Sequence, residues 1–190
     1  MSIPNDSVQP YWRIGQEASS GDCAYFCGYI LGLVRQHPNS PDHWMLSRNQ
    51  VYTARDAYLH PGQPPSLRLQ GRFAWAHQVP GYLASPAIGA TGYHHHANIV
   101  ALQGNRAPTE AEFLQSVDSQ LIAGYGVMLL VGGSQADAQA GHWIAVLQKP
   151  AAGQWRWYDP AHSETQHSNV SAAADVAHML FNRVTFLVTH

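Results

Sequence analysis

Charge is scarce in this chain: Asp, Glu, Lys and Arg make up 12% of its 190 residues, and the formal net charge is −2. The ten Lys and Arg are scattered, with no basic stripe. That excludes a protein that holds nucleic acid by electrostatics. Long apolar runs are also missing, and none approaches the roughly 20 residues that a bilayer span requires. The first residues, Met1 to Ser7, carry neither the basic region nor the apolar core of a Sec-type signal. The chain is therefore expected to be soluble, either cytoplasmic or exported as an effector by a system that reads another address. Cysteine is nearly absent: Cys23 and Cys27 are the only two. Four residues apart, they share one face of any helix that contains them, and bridging them strains a disulfide. Both are read as free thiols. Repeats and low-complexity segments are lacking too, so residues 1–190 are expected to form a single domain.

What is present is a globular core, with 45% hydrophobic and 11% aromatic residues. Residues 21–36 form the first clear element. Asp22 stands where it can cap, and Ala24, Cys27, Ile30, Leu31 and Val34 recur at helical spacing until His37-Pro38-Asn39-Ser40-Pro41 breaks the run. A weaker helix is expected from about Ser47 to Tyr58. Residues 60–104 are rich in Gly, Pro and aromatics and give no clear period. Then Thr109 and Glu112 make a capping box, followed by Phe113, Leu114, Val117, Leu121 and Ile122 on one helical face and Gly124 at the end. Val127 to Val131, Trp143 to Leu147, Gln154 to Tyr158 and Val184 to Val188 read as strands, and Ala172 to Phe181 as a helix. Helices first and strands joined by short turns afterwards point to an α+β fold with an antiparallel sheet.

The residues that carry chemistry sit at the ends of these elements. Gly21-Asp22-Cys23 places a thiol in the first turn of an apolar helix, where unpaired amides and the helix dipole stabilise a thiolate. Cys27, one turn deeper among Phe26, Ile30 and Leu31, reads as a structural thiol. In Gly141-His142-Trp143, His142 opens an apolar strand, and it is the only histidine of twelve followed at once by such a strand. A strand is a rigid mount for a base, and Gly141 permits close approach of chain or substrate. Asp159, in Tyr158-Asp159-Pro160, ends the following strand 17 residues later (159 − 142). In an antiparallel hairpin the start of one strand lies beside the end of the next, so Asp159 can accept from the imidazole of His142 and fix its tautomer. Gln16 precedes Cys23 by seven residues. It can donate to an oxyanion together with the Cys23 amide.

Gln16, Gly21-x-Cys23 opening a helix, Gly141-His142-Trp143 and Tyr158-Asp159-Pro160, in that order, resemble the papain-like cysteine peptidase superfamily. The small bacterial papain-like peptidases and effectors are similar in the Gly-His-apolar and Asp-Pro segments. The Josephin deubiquitinases are similar to Gln16-Glu17-x-Ser19-x-x-Cys23-Ala24-x-x-Cys27 and His142-Trp143. Papain has one residue fewer between Gln and Cys, and both papain and the Josephin domains have Asn where this chain has Asp159. The resemblance implies a papain-like fold, with an N-terminal helical part whose nucleophile helix packs on a C-terminal antiparallel sheet. It implies a cysteine hydrolase that cleaves a peptide or isopeptide bond with Cys23, His142, Asp159 and Gln16, and with Gly21, Gly141 and Trp143 lining the substrate path. The expected partner is a protein or peptide, ubiquitin-like proteins included, with no cofactor, no metal, no nucleic acid and no membrane.

Two other uses of these residues stand beside that one. The same groups serve a glutamine deamidase, and the same scaffold serves as an inactive binding module. His94-His95-His96 with the cysteines offers a zinc reading. The spacing of Cys23 and Cys27 is wider than the Cys-x-x-Cys of structural zinc, so an exposed histidine-rich loop is expected there instead. Gly132-Gly133-Ser134-Gln135, just before His142, is expected to form a mobile loop on the rim of the cleft.

Overall fold

A computed structural model describes residues 7–16, 21–62, 79–86, 95–97, 108–132, 141–161, 170–181 and 184–189. In chain order its elements are β1 (Gln9–Pro10), α1 (Cys23–Gln36), β2 (Met45–Leu46), α2 (Arg48–Leu59), α3 (Val79–Leu83) and β3 (His95–Ala97). There follow α4 (Glu110–Ile122), β4 (Val127–Val131), β5 (His142–Gln148), β6 (Gln154–Tyr158), β7 (Val170–Ala172), α5 (Ala173–Leu180) and β8 (Val184–Thr189). β1 and β2 make a small two-stranded sheet, and the others a six-stranded sheet in the order β3-β8-β4-β5-β6-β7. Every pairing is antiparallel. The fold is α+β. Among the described residues no helix is long and apolar enough to cross a membrane.

The central strands read as continuous apolar runs because both faces of the sheet are covered. Met128, Leu130, Trp143, Ala145, Leu147 and Tyr158 share one core with α1, which lies against β5. Their neighbours Val127, Leu129, Val131, Ile144, Val146, Trp155 and Trp157 share the other with Phe113, Val117 and Leu121 of α4 and Val176 and Leu180 of α5. The two-residue period of a strand sorts alternate side chains between the two cores.

Local signals account for the helix boundaries. Thr109 and Glu112 close the expected capping box, and Ser47 with Gln50 closes a second one that the weak apolar pattern of α2 had obscured. Gly124 follows α4 with φ of 88°, a conformation that favours glycine. Ile122 departs from expectation, being 74% exposed. It lies nine residues after Phe113, two and a half turns on, and so faces away from the stripe that Phe113, Val117 and Leu121 bury. The expected order is modified by three short strands, since β3 precedes α4 and β1 and β2 flank α1, while α5 stands before the last strand as expected. His95–Ala97 is a strand paired with β8, not a loop, while His94 lies outside the described residues. Of the expected rim loop, Gly132 is described, with φ of 69°, and residues 133–140 lie outside.

Gly28 marks a close contact between two helices. A Cβ there would stand 2.7 Å from Cε1 and 2.8 Å from Cδ1 of Tyr82, where α3 crosses α1. Helix propensity alone favours Gly28→Ala by about 1 kcal/mol. The packing predicts the opposite sign, a loss of about 1–3 kcal/mol, which urea denaturation measures directly.

Candidate active site

The site is built where β6 ends. The β5–β6 ladder pairs Ala145 with Tyr158, and two residues further on the same register would set Pro160 opposite Trp143. Proline has no N–H to offer, and the Pro160 carbonyl instead accepts from the amide of Gln16 at 3.0 Å. With the ladder stopped, the backbone of Trp143 turns to α1. Its N–H donates to Sγ of Cys23 at 3.4 Å, and its carbonyl accepts from the thiol of Cys27 at 3.3 Å.

His142 opens β5, and the antiparallel register brings it to Asp159 just past the end of β6. Nε2 of His142 lies 2.6 Å from Oδ1 of Asp159. A carboxylate only accepts, so Nε2 carries the proton and Nδ1 is the nitrogen left to serve Cys23, whose nearness favours the imidazolium. The same Oδ1 accepts from the amide of Ala161 at 2.9 Å. Asp159 thus starts the turn through Pro160 and holds the imidazole with one oxygen. Burial pulls the imidazolium of His142 down, but the hydrogen bonds to Asp159 and Cys23 and the charges behind them outweigh it and raise the pKa to about 9.

Cys23 begins α1. Gly21 precedes it with φ of 70°, the left-handed region that glycine reaches without strain, so Gly21 serves the turn into the helix. Asp22 occupies the N-cap, and its carbonyl accepts from Tyr25 and Phe26 at 2.9 and 3.2 Å. Its side chain does not cap the helix, contrary to expectation. The carboxylate faces Arg55 of α2 instead, with Oδ1 3.0 Å from the guanidinium, and Arg55 also pairs with Asp56 at 2.9 Å. Cys27 is fully buried, and burial, followed by the charges of Cys23 and Asp159, raises its thiol well above the usual range. It is a structural thiol.

Gln16 is fixed beside Asp159 by a short strap. The Ile14 carbonyl accepts from Tyr158 at 2.7 Å, the Gly15 carbonyl accepts from Nε of Arg48 at 2.7 Å, and the Gln16 amide bonds Pro160. Among the described residues, Oε1 of Gln16 is buried without a partner. Trp143, expected to line the substrate path, is placed otherwise, whereas Gly141 meets the close approach of chain expected of it. The Trp143 side chain is 1% exposed and lies in the core, so this residue offers its backbone amide to Cys23 rather than its ring to a substrate. Gly141 is demanded by the chain: a Cβ would stand 2.5 Å from Cδ1 of Leu130 and 2.8 Å from the Gly132 carbonyl. Among the described residues no group of three or more His, Cys, Asp and Glu could hold a metal ion. Sequence reasoning missed Arg55, whose signal, an arginine inside an amphipathic helix, is indistinguishable from a solvated one.

The geometry predicts the titration of His142. Followed by NMR, its ring should lose its proton with a midpoint near 9. Cys23→Ala and Asp159→Asn should each move that midpoint down, because each removes a partner of the imidazolium. The sign for stability follows: the pKa is raised above the usual 6.5, so the contribution of His142 is complete below pH about 6.5 and is lost as pH rises through about 9.

No protein-family model and no curated protein matches this chain.

Proposed function

We propose that this chain is a papain-like cysteine hydrolase that cleaves a peptide or isopeptide bond. One observation carries the reading: an imidazole held 2.6 Å from Asp159, on the residue next to the one whose amide meets, at 3.4 Å, the sulfur of a cysteine that opens a buried helix. Cys23 and His142 stand on α1 and β5, and Asp159, in the turn directly after β6, is held there by the Ala161 amide.

The steps follow from the roles these groups can take. The Cys23 thiolate attacks the carbonyl carbon of the substrate, and the π electrons move to its oxygen. The Cys23 amide and the side-chain amide of Gln16 donate to that oxyanion. The C–N bond then breaks, and the His142 imidazolium gives the proton to the departing amine. Neutral His142 next takes a proton from water, whose oxygen attacks the thioester. The C–S bond breaks to release the acid and return the thiolate–imidazolium pair. Asp159 accepts from Nε2 throughout, holding the ring in the tautomer that keeps Nδ1 toward sulfur. The Trp143 amide donates to Sγ at 3.4 Å, a contact that favours the thiolate the first step uses.

Iodoacetamide labelling at pH about 6 with peptide mapping tests the activated thiol. An ordinary thiol with pKa near 8.5 is well under a hundredth ionised there. Labelling should be fast and confined to Cys23, slower in His142→Ala, and absent from the buried Cys27. Slow labelling of Cys23 in the folded protein would end the hydrolase reading. On a cleavable peptide or isopeptide substrate, Cys23→Ala should abolish turnover and His142→Ala should lower kcat by about 10²–10⁴-fold.

A further inference from the structure

The buried ion-pair group of Arg55, Asp22 and Asp56 has no part in the steps above, yet it touches the residue directly before Cys23. The side chains of Arg55 and Asp22 are each 2% exposed and that of Asp56 3%. Nη1 of Arg55 lies 3.0 Å from Oδ1 of Asp22, and its Nε and Nη2 each lie 2.9 Å from Oδ1 of Asp56. The guanidinium also lies over the ring of Tyr52, 4.8 Å from its centroid. Desolvation opposes a charge on Arg55, but the charges and hydrogen bonds of the two carboxylates hold its pKa above the usual value. Such a group is costly to bury, and replacing a buried pair by apolar residues is often neutral or stabilising. Its retention beside Cys23 calls for a role that an apolar contact could not fill.

The N-cap geometry supplies one. An aspartate at an N-cap ordinarily accepts from the first-turn amides and sets its negative charge at the helix end. Both effects oppose a thiolate at the first helical residue: the amides are used up, and a like charge stands next to the sulfur. In this chain Asp22 holds the N-cap backbone geometry without a side-chain capping bond, and its carboxylate is drawn onto Arg55.

We propose that Arg55 is a positioning residue for Cys23, which pulls the Asp22 carboxylate away from the amino end of α1 and balances its charge there. The inference rests on the reading of Cys23 as the nucleophile. Among the described residues, the ionisable groups around that sulfur are His142 from β5, Tyr158 at the end of β6 and Asp159 after it, Cys27 one turn along α1, and Asp22. From α2 come Arg55 and Asp56 and, nearer Tyr158, Arg48. Arg55 is the cation bound to the carboxylate adjoining Cys23 in sequence. Its loss removes that counter-charge from the carboxylate beside Cys23.

The test is the pH dependence of Cys23 alkylation in the intact chain, using iodoacetamide with peptide mapping. Arg55→Met should raise the reactivity midpoint by about 1 pH unit, and Asp22→Asn should move it down. The double variant should return toward the wild-type midpoint, and Arg55→Lys, which keeps the charge but not the fork, should stay near it. Opposite shifts from the two single variants are what a purely structural role does not produce. If Arg55→Met does not fold, Asp22→Asn and Arg55→Lys still decide the matter. An unmoved midpoint in Asp22→Asn, or a rise in Arg55→Lys equal to that expected of Arg55→Met, overturns the proposal. A wild-type midpoint near that of an ordinary thiol would instead sink the hydrolase reading, and the shifts between variants would still report on Arg55.

Discussion

The whole arrangement turns on a hydrogen-bond ladder that stops short of Trp143. β5 and β6 pair as far as Ala145 and Tyr158, and the next partner of Trp143 would be a proline. A buried backbone amide and carbonyl cannot be left without partners. Here both find sulfur on α1, while the carbonyl of Pro160 takes the amide of Gln16. One interruption of the sheet thereby brings three distant parts of the chain to one corner: the strap at residues 14–16, the start of α1, and the turn at Asp159.

The packing around this corner is uneven in kind. On the α1 side of the sheet the core is aromatic and carries hydroxyls and thiols, with Tyr11, Tyr25, Tyr82 and Tyr158 buried beside Cys27. Tyr158 and Tyr82 donate to the carbonyls of Ile14 and Tyr25. Burial raises the phenol of each, so both stay protonated and keep donating. On the other side the core is aliphatic apart from Phe113, Trp155 and Trp157. A polar core specifies which groups meet, whereas an aliphatic one mainly supplies buried area. The candidate site lies on the side where orientation is specified.

The sequence was most informative where one period or one backbone rule decides the outcome. The apolar runs gave the four long strands, and hairpin geometry placed His142 beside Asp159 without any long-range information. Thr109 and Glu112 announced their helix start. It was least informative where a side chain had several uses. Asp22 fits a capping residue equally well whether its carboxylate turns to the first-turn amides or to Arg55, and that choice depends on a helix more than thirty positions away. Trp143 reads as a cleft residue from its neighbour His142, but strand alternation sends its ring into the core with Ala145 and Leu147. The β3 strand is three residues long and finds its partner near the end of the chain, too short for a period to register.

The two sulfurs on α1 have a further consequence. They stand one helical turn apart, about 5.4 Å along the axis, and both bond the backbone of the same residue, Trp143. Together they act as the two teeth of a key. Sliding α1 by one turn along β5 would bring Cys27 to the amide that Cys23 now meets and leave the carbonyl facing Leu31, which has no proton to give. Apolar side chains alone tolerate such a slip, since leucine and isoleucine pack nearly as well one notch over. The deeper thiol, inert in itself, thus adds a directional preference to the longitudinal register of the helix, much as a single buried polar residue does in a coiled coil.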